Sequence, residues 1–380
     1  MIYFDHNATT PLDPRVLEAM LPYLQSFYGN PSSLYRTGRI ARSAIDSARE
    51  QVAALVGAEQ PSQIIFTSGG TEANNLAIQG MARALPQGLL AASAIEHASV
   101  IECLRLLADN GRDIRLLAVD DQGRIDLDAL QKLLEQGLRF ASIMLANNET
   151  GIIQDGAALQ RLFADHPAYW HCDVTQAVGK IPVDFKRLGA HLMSVSGHKI
   201  YGPKGVGALV IDKTVPLTAL IAGGGQEQNL RGGTENVAAI VGFGKAAELA
   251  MSELDSRHQH CLKLRLKLEA MLADFPQVTI LSRQGQRLPN TLQIAIDGID
   301  GEMLLIALDR QQIAVSSGSA CSSDKSQASH VLLAMGIDDS LARNAIRISF
   351  GEANSEQEIE RFVTIFKNIL VELGSSAMLV

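Results

Sequence analysis

His191-Leu192-Met193-Ser194-Val195 runs straight into Ser196-Gly197-His198-Lys199, and then into the turn formers Gly202-Pro203-Lys204-Gly205. The apolar run reads as a brief buried strand that stops at a glycine. A lysine displayed just past a strand, beside a hydroxyl, suits a carbonyl cofactor. Its amine can form a Schiff base once burial and nearby charge lower its pKa. The same four residues would also suit an exposed turn, so the flanking sequence has to decide.

Working outward, short apolar runs at 63–67, 89–92, 114–119, 142–146, 169–172, 192–195 and 206–211 alternate with stretches of helical periodicity. Such alternation implies βαβ units and an α/β fold built on a mainly parallel seven-stranded sheet. In sheets of this kind ligands sit at the carboxyl ends of the strands, so the loops there are the places to search. Before the sheet, helices are expected over 14–27 and 38–55, the second stopping at Gly57. After it, a long helical pattern covers 236–272, followed by strands at 278–281, 291–296 and 346–350 and a last helix over 355–373. We therefore expect a large domain over 14–250. A smaller C-terminal α/β domain would comprise 1–13 and 251–380.

Composition narrows the class. A hydrophobic fraction of 47% with 19% charged residues is ordinary for a chain with a full core. A formal net charge of −8, with no basic block, argues against nucleic acid. No apolar run approaches the roughly 18 residues of a membrane span, and Met1 to His6 does not open a signal peptide. Cys103, Cys172, Cys261 and Cys321 are scattered without CxxC spacing, which suits a reduced, cytoplasmic protein and no metal site.

The loops at the strand ends carry the chemistry. Thr67-Ser68-Gly69-Gly70-Thr71-Glu72 follows a strand and opens a helix, so its free N–H groups and partial positive charge make an anion site. It is neither a P-loop nor a GxGxxG, which weighs against a nucleotide; it would equally serve as an N-cap with a tight turn. His97 follows the next strand, and Asn147-Asn148-Glu149 ends another. Asp173 and Gln176 close the run Trp170-His171-Cys172. An aspartate about 4 Å from a ring cation gains roughly 4 kcal/mol at an effective dielectric of 20, enough to keep a pyridine nitrogen protonated near neutral pH. Ser316-Ser317-Gly318-Ser319-Ala320-Cys321-Ser322-Ser323 is too small and polar to pack a core, so its thiol can act at a loop covering about 316–330. A phosphate cradle, a histidine, a pyridinium partner and a Schiff-base lysine are together the needs of pyridoxal 5′-phosphate.

With these residues in place, the chain resembles the cysteine desulfurases of the NifS/IscS type, within the class V aminotransferase family of fold type I. The likeness runs nearly end to end, from Asp5-His6-Asn7-Ala8-Thr9-Thr10 to Ile346-Arg347-Ile348-Ser349. Its most specific stretches are Gly29-Asn30-Pro31-Ser32-Ser33, Ser68 to Glu72, Asn147-Asn148-Glu149, Ser196 to Lys199, Arg231 to Asn236 and Ser317 to Cys321. The resemblance implies that Lys199 carries the cofactor and moves the substrate Cα proton. It implies that Asp173 pairs with the ring nitrogen and that Asn148 and Gln176 contact the ring. Gly70, Thr71, Ser196 and His198 would hold the phosphate, joined by Thr234 from a neighbouring subunit in a homodimer. His97 would stack on the ring and shuttle protons. Asn30, Asn148 and Arg347 would bind the substrate, the guanidinium taking its α-carboxylate. Cys321 would be the nucleophile, taking sulfur from L-cysteine to leave L-alanine and a persulfide for an acceptor protein in iron–sulfur cluster assembly, tRNA thiolation or a related transfer.

Three departures from the family pattern stand out. Tyr35 occupies a position where a histidine is usual, Phe350-Gly351-Glu352 stands where Leu-Gly-Arg is common, and the tail after the last helix is short. A selenocysteine lyase, another enzyme of the aminotransferase fold, or a silent binding paralogue are the competing expectations.

Overall fold

The computed structural model describes residues 1–317 and 328–377. Its strands are β1 (Ile2–Tyr3), β2 (Ile64–Thr67), β3 (Leu90–Ser93), β4 (Ile114–Leu117), β5 (Phe140–Ser142), β6 (Tyr169–Asp173), β7 (Leu192–Ser196) and β8 (Gly207–Ile211), followed by five more in the C-terminal part. The seven from β2 to β8 form one sheet in the order β2-β8-β7-β6-β5-β3-β4. Every pairing is parallel except the two made by β8, which runs against β7 and β2.

Alternate side chains explain why both faces are covered. Ile64, Phe66, Met193, Val195 and Val210 enter one core with Ile45 and Val52 of α2 (Arg36–Val56) and Phe243 of the helix Val237–Ser252. Ile65, Leu192 and Leu209 point the other way, onto Leu76 of α3 (Gly70–Ala84) and Leu104 of α4 (Ala98–Asp109). A two-residue period with apolar side chains on both faces is what a sheet buried between helical layers requires. α2 ends at Gly57, where φ is 64°, a left-handed conformation that glycine adopts at little cost.

The rest of the chain builds a second sheet from β9 (Val278–Ile280), β10 (Thr291–Ile296), β12 (Ser316–Ser317) and β13 (Ala345–Ser349), in the order β12-β13-β10-β9 and antiparallel throughout. The N-terminal β1 pairs with β11 (Ile313–Ala314), and Phe4 enters the same core as Leu292, Ile348, Phe362 and Phe366.

Several element ends differ from expectation, the last helix running on to Ala377 rather than 373, and two further differences stand out. The run at 142–146 pairs on both sides only as β5; beyond it Ile143 and Leu145 still donate to β6 at 2.9 and 3.0 Å, but the N–H of Met144 turns to the Glu96 carboxylate at 2.7 Å. The 236–272 pattern is two helices, Val237–Ser252 and Leu254–Leu272. Between them Glu253 takes φ −107° and ψ 9°, and its carboxylate receives Arg15 and Arg257.

Candidate active site

The carboxyl ends of β2, β3, β6 and β7 open into a cavity of about 310 Å³, closed by Asn7 and Ala8 and by Arg347 from β13. That volume lies at the lower end of the small-molecule range.

One end is a cradle for an anion. Gly70 and Thr71 begin α3, and Gly69 at its N-cap supplies no side-chain hydrogen bond, so the first N–H groups are not capped. A Cβ on Gly70 would stand 3.4 Å from Thr175 Oγ1 and 3.5 Å from Ser196 Cβ. Ser196 Oγ is buried with no protein partner. An orphaned hydroxyl beside an uncapped helix start fits a phosphate. Gly207 allows the cradle to close, since a Cβ there would sit 2.6 Å from Val195 O and 2.7 Å from Gly69 C. His198, next to it, shares Nδ1 with Thr9 Oγ1 at 3.1 Å; burial and then the nearby Lys199 and Lys204 charges push its imidazole down to about 4.

The middle is organised by Asp173. Its two oxygens accept from Asn74 Nδ2 at 2.8 Å and from the N–H of Thr175 at 2.9 Å. Asn74 also donates to Ser99 Oγ, linking the carboxylate to the start of α4. There His97 is the N-cap, and its Nδ1 accepts the N–H of Ser99 at 3.1 Å, so the proton of the neutral ring sits on Nε2. Burial lowers the His97 pKa; Asp173 opposes that, while Lys199, His330 and Arg347 reinforce it.

At the far side Lys199 Nζ donates to the carbonyls of Asn7 and Ala8 at 2.5 and 2.7 Å. Arg347 is buried and donates to Asn148 O at 3.0 Å and to Asp5 Oδ1 at 2.8 Å, leaving Nε buried without a protein acceptor. Gln176 lines the cavity, but its amide is engaged: Nε2 donates to Asn7 O and Oε1 accepts from Lys180.

Gly70, Thr71, His97, Asn148, Asp173, Gln176, Ser196, His198, Lys199 and Arg347 thus meet in one cavity. Asn30 does not line it; that residue is exposed, and its Oδ1 accepts the N–H of Ser32. Thr234 is exposed and also outside it. Cys321 lies outside the described residues. Glu352 is clear of the cavity, paired with Arg257 at 3.2 Å, and Tyr35 is exposed. Sequence reading passed over Asn7, Asn74 and Lys180. Asn7 lies within a stretch that carries the resemblance, Asn74 just past the glycine turn and Lys180 four residues after Gln176, and only the fold shows that their side chains turn inward.

The profile of the Aminotransferase class-V family matches residues 2–362. A cysteine desulfurase of Sinorhizobium fredii is 44% identical over 378 residues, covering 99% of this chain and 98% of its own length. The cysteine desulfurase IscS of Dictyoglomus turgidum is 42% identical over 378 residues, covering 98% and 95%. The solved structure of a NifS-like protein superposes with a TM-score of 0.92 at 38% identity, covering 98% of this chain and 100% of its own.

Proposed function

The chain belongs to the class-V aminotransferase family, and from that premise we propose that Lys199, Asp173, His97 and Cys321 carry out cysteine desulfuration in and beside the cavity. The enzyme is a cysteine desulfurase with pyridoxal 5′-phosphate as cofactor. The observation that carries the residue assignment is the meeting of an uncapped helix start, an orphaned Ser196 hydroxyl, the Asp173 carboxylate and the Lys199 amine in one cavity.

The cofactor, when bound, supplies an electron sink that withdraws density from the substrate Cα. Gly70, Thr71, Ser196 and His198 would hold its phosphate, and Asp173, oriented by Asn74 and Thr175, would face its ring nitrogen. His97 would lie on the ring, with Asn148 and Gln176 at its edge. Arg347, steadied by Asp5 and Asn148, presents its spare Nε–H to the α-carboxylate of L-cysteine and fixes the Cα beside Lys199. The Lys199 amine accepts the Cα proton. His97, held neutral by burial with Nδ1 on the N–H of Ser99, can deliver the proton on Nε2 and take one back there. The thiolate of Cys321 attacks the substrate sulfur; that S–S bond forms as the Cβ–S bond breaks, and the carbon fragment leaves as alanine.

A homodimer would bring Thr234 of the partner subunit to the phosphate, in keeping with its exposure away from its own cavity. We take residues 14–250 as the cofactor-binding domain and 1–13 with 251–380 as the domain carrying the cysteine loop, with Asn30 at the substrate entrance. The persulfide would pass to an acceptor protein. Free, buried Cys103, Cys172 and Cys261 suit a reduced, cytoplasmic setting, and no helix among the described residues is long and apolar enough to cross a membrane. Borohydride reduction of the purified protein tests the assignment. It should abolish the visible absorption band and leave a pyridoxyl adduct on the peptide bearing Lys199; an adduct on any other lysine overturns it.

A further inference from the structure

Asp173 and His97, which would meet different parts of the cofactor, are joined within the protein by Asn74 of α3 and Ser99 of α4. Asn74 Nδ2 lies 2.8 Å from Asp173 Oδ2 and 2.8 Å from Ser99 Oγ, and Ser99 Oγ lies 2.8 Å from His97 Nδ1. The direction of each bond follows from what its groups can carry. A carboxylate only accepts and an amide nitrogen only donates, so both Asn74 protons are committed, one to Asp173 and one to Ser99. Turning the amide over would set Oδ1 against the carboxylate; as it stands, Oδ1 is buried without a protein partner. Ser99 Oγ, accepting from Asn74, has its own proton left for His97 Nδ1. That nitrogen also receives the Ser99 N–H at 3.1 Å. The donors therefore all point toward the imidazole from the α3 side. A ring with its proton on Nδ1 would face two donors and leave the Ser99 hydroxyl without that acceptor.

We propose that Ser99 and Asn74 are positioning residues for His97: together they hold its imidazole as the Nε2–H tautomer and tie its orientation to the Asp173 carboxylate. The inference rests on His97 serving proton transfer in the desulfurase reaction. Capping α4 does not require the hydroxyl, because His97 Nδ1 caps that helix through the backbone N–H of Ser99. What the hydroxyl adds is a second donor whose direction is set from another helix. Asn74 sits about one turn beyond the uncapped start of α3, the same start that would hold the phosphate. The anion cradle, the carboxylate facing the ring nitrogen and the histidine are thus aligned as one unit. Supporting groups of this kind lock a reacting side chain in one rotamer and one protonation pattern. A ring free to exchange tautomers would present a bare Nε2, unable to give a proton, for part of the time.

The test uses the full-length holoenzyme carrying ¹⁵N-histidine, with the His97 signals identified by their loss in His97→Gln. At one fixed neutral pH, a long-range ¹H–¹⁵N correlation spectrum of the wild type should show Nε2 protonated and Nδ1 bare. A proton on Nδ1 overturns the proposal, even where no variant folds. Ser99→Ala should lower kcat for alanine formation from L-cysteine by about tenfold, as for the loss of one hydrogen bond, and leave KM within about twofold. Its spectrum should gain an Nδ1–H signal. Ser99→Thr, which keeps the hydroxyl, should recover most of the lost kcat. In an Asn74→Leu background, which keeps the bulk but not the amide, Ser99→Ala should cost clearly less than it does alone, because the two side chains act through one chain of bonds. A folded Ser99→Ala with unchanged kcat and spectrum overturns the proposal. So do equal costs in the two backgrounds. Alanine formation by the wild type reports separately on the desulfurase reading, and the tautomer is read without turnover, so the two failures are distinguishable.

Discussion

Along the rim of the cavity Gly70, Asp173, Ser196 and Lys199 each stand where a strand ends, whereas the floor beneath Lys199 is held by side chains from distant segments: Asn7, Lys180, Asn290 and Thr291. The rim keeps polar atoms in reserve, as Ser196 Oγ and Arg347 Nε do. The floor spends nearly all of its polar atoms on the protein. Asn7 alone uses its N–H on Ser349, its carbonyl on Gln176 and Lys199, its Oδ1 on Lys180 and Asn290, and its Nδ2 on Asn148 and Thr291. Groups left unsatisfied by the protein are available to a ligand, and groups satisfied by it hold the fold. Changes on the rim should therefore remove chemistry with little effect on stability, and changes in the floor should do the reverse.

The largest effect is expected at Lys199. Lys199→Ala should lower alanine formation from L-cysteine by about 10⁴-fold or more, since both cofactor attachment and proton transfer are lost; a thermal midpoint close to wild type would keep it on the rim side of the divide. Asp173→Asn comes next. The amide can still meet Thr175 and Asn74 but carries no charge toward the ring nitrogen, so kcat/KM should fall by about 10³-fold. A loss of less than tenfold would remove Asp173 from the chemistry.

Glu149, a buried carboxylate outside the cavity that accepts from Ser329 Oγ, extends the comparison. Burial pushes its carboxyl up to about 7, against the opposing effects of Ser329, Arg347 and Gln293. The folded state thus holds this proton more tightly than the unfolded chain, where the carboxyl titrates near 4.5. The stabilisation is complete below about 4.5, shrinks as pH rises, and is gone above about 7. Over that window the wild type should lose up to about 3 kcal/mol relative to Glu149→Gln, read as the difference between their denaturant midpoints at each pH. A pH-independent difference would contradict the assignment. The smallest effect is expected for Asn7→Ala, which leaves Lys180 and Asn148 short of partners and should cost about 2 kcal/mol in urea unfolding. Unchanged stability would erase the contrast between floor and rim.

The sheet was open to sequence reading because most of its runs are apolar on both faces; six of the seven expected runs become its strands, and the run at 142–146 overlaps β5 only at Ser142. What could not be read were points set by side chains from elsewhere, as where the Glu96 carboxylate takes the N–H of Met144 or where Arg15 and Arg257 meet the Glu253 carboxylate between two helices. In the cavity the same division recurs. Thr71, Asp173, Ser196 and Lys199 announce themselves through glycines and strand ends nearby in sequence. Asn74 is one polar residue within a helix, and its direction toward Asp173 follows from helical phase after Gly70. Asn7 and Lys180 lie 173 residues apart in the chain, and no local pattern encodes their meeting.

A single-turnover reaction with L-cysteine, on wild type and on Cys321→Ala, tests the central claim most directly. The account predicts one equivalent of alanine and a 32-dalton gain on the peptide bearing Cys321, the mass of one sulfur atom, both lost in the variant. Alanine released undiminished by Cys321→Ala would contradict it and point to a lyase that frees its sulfur or selenium directly.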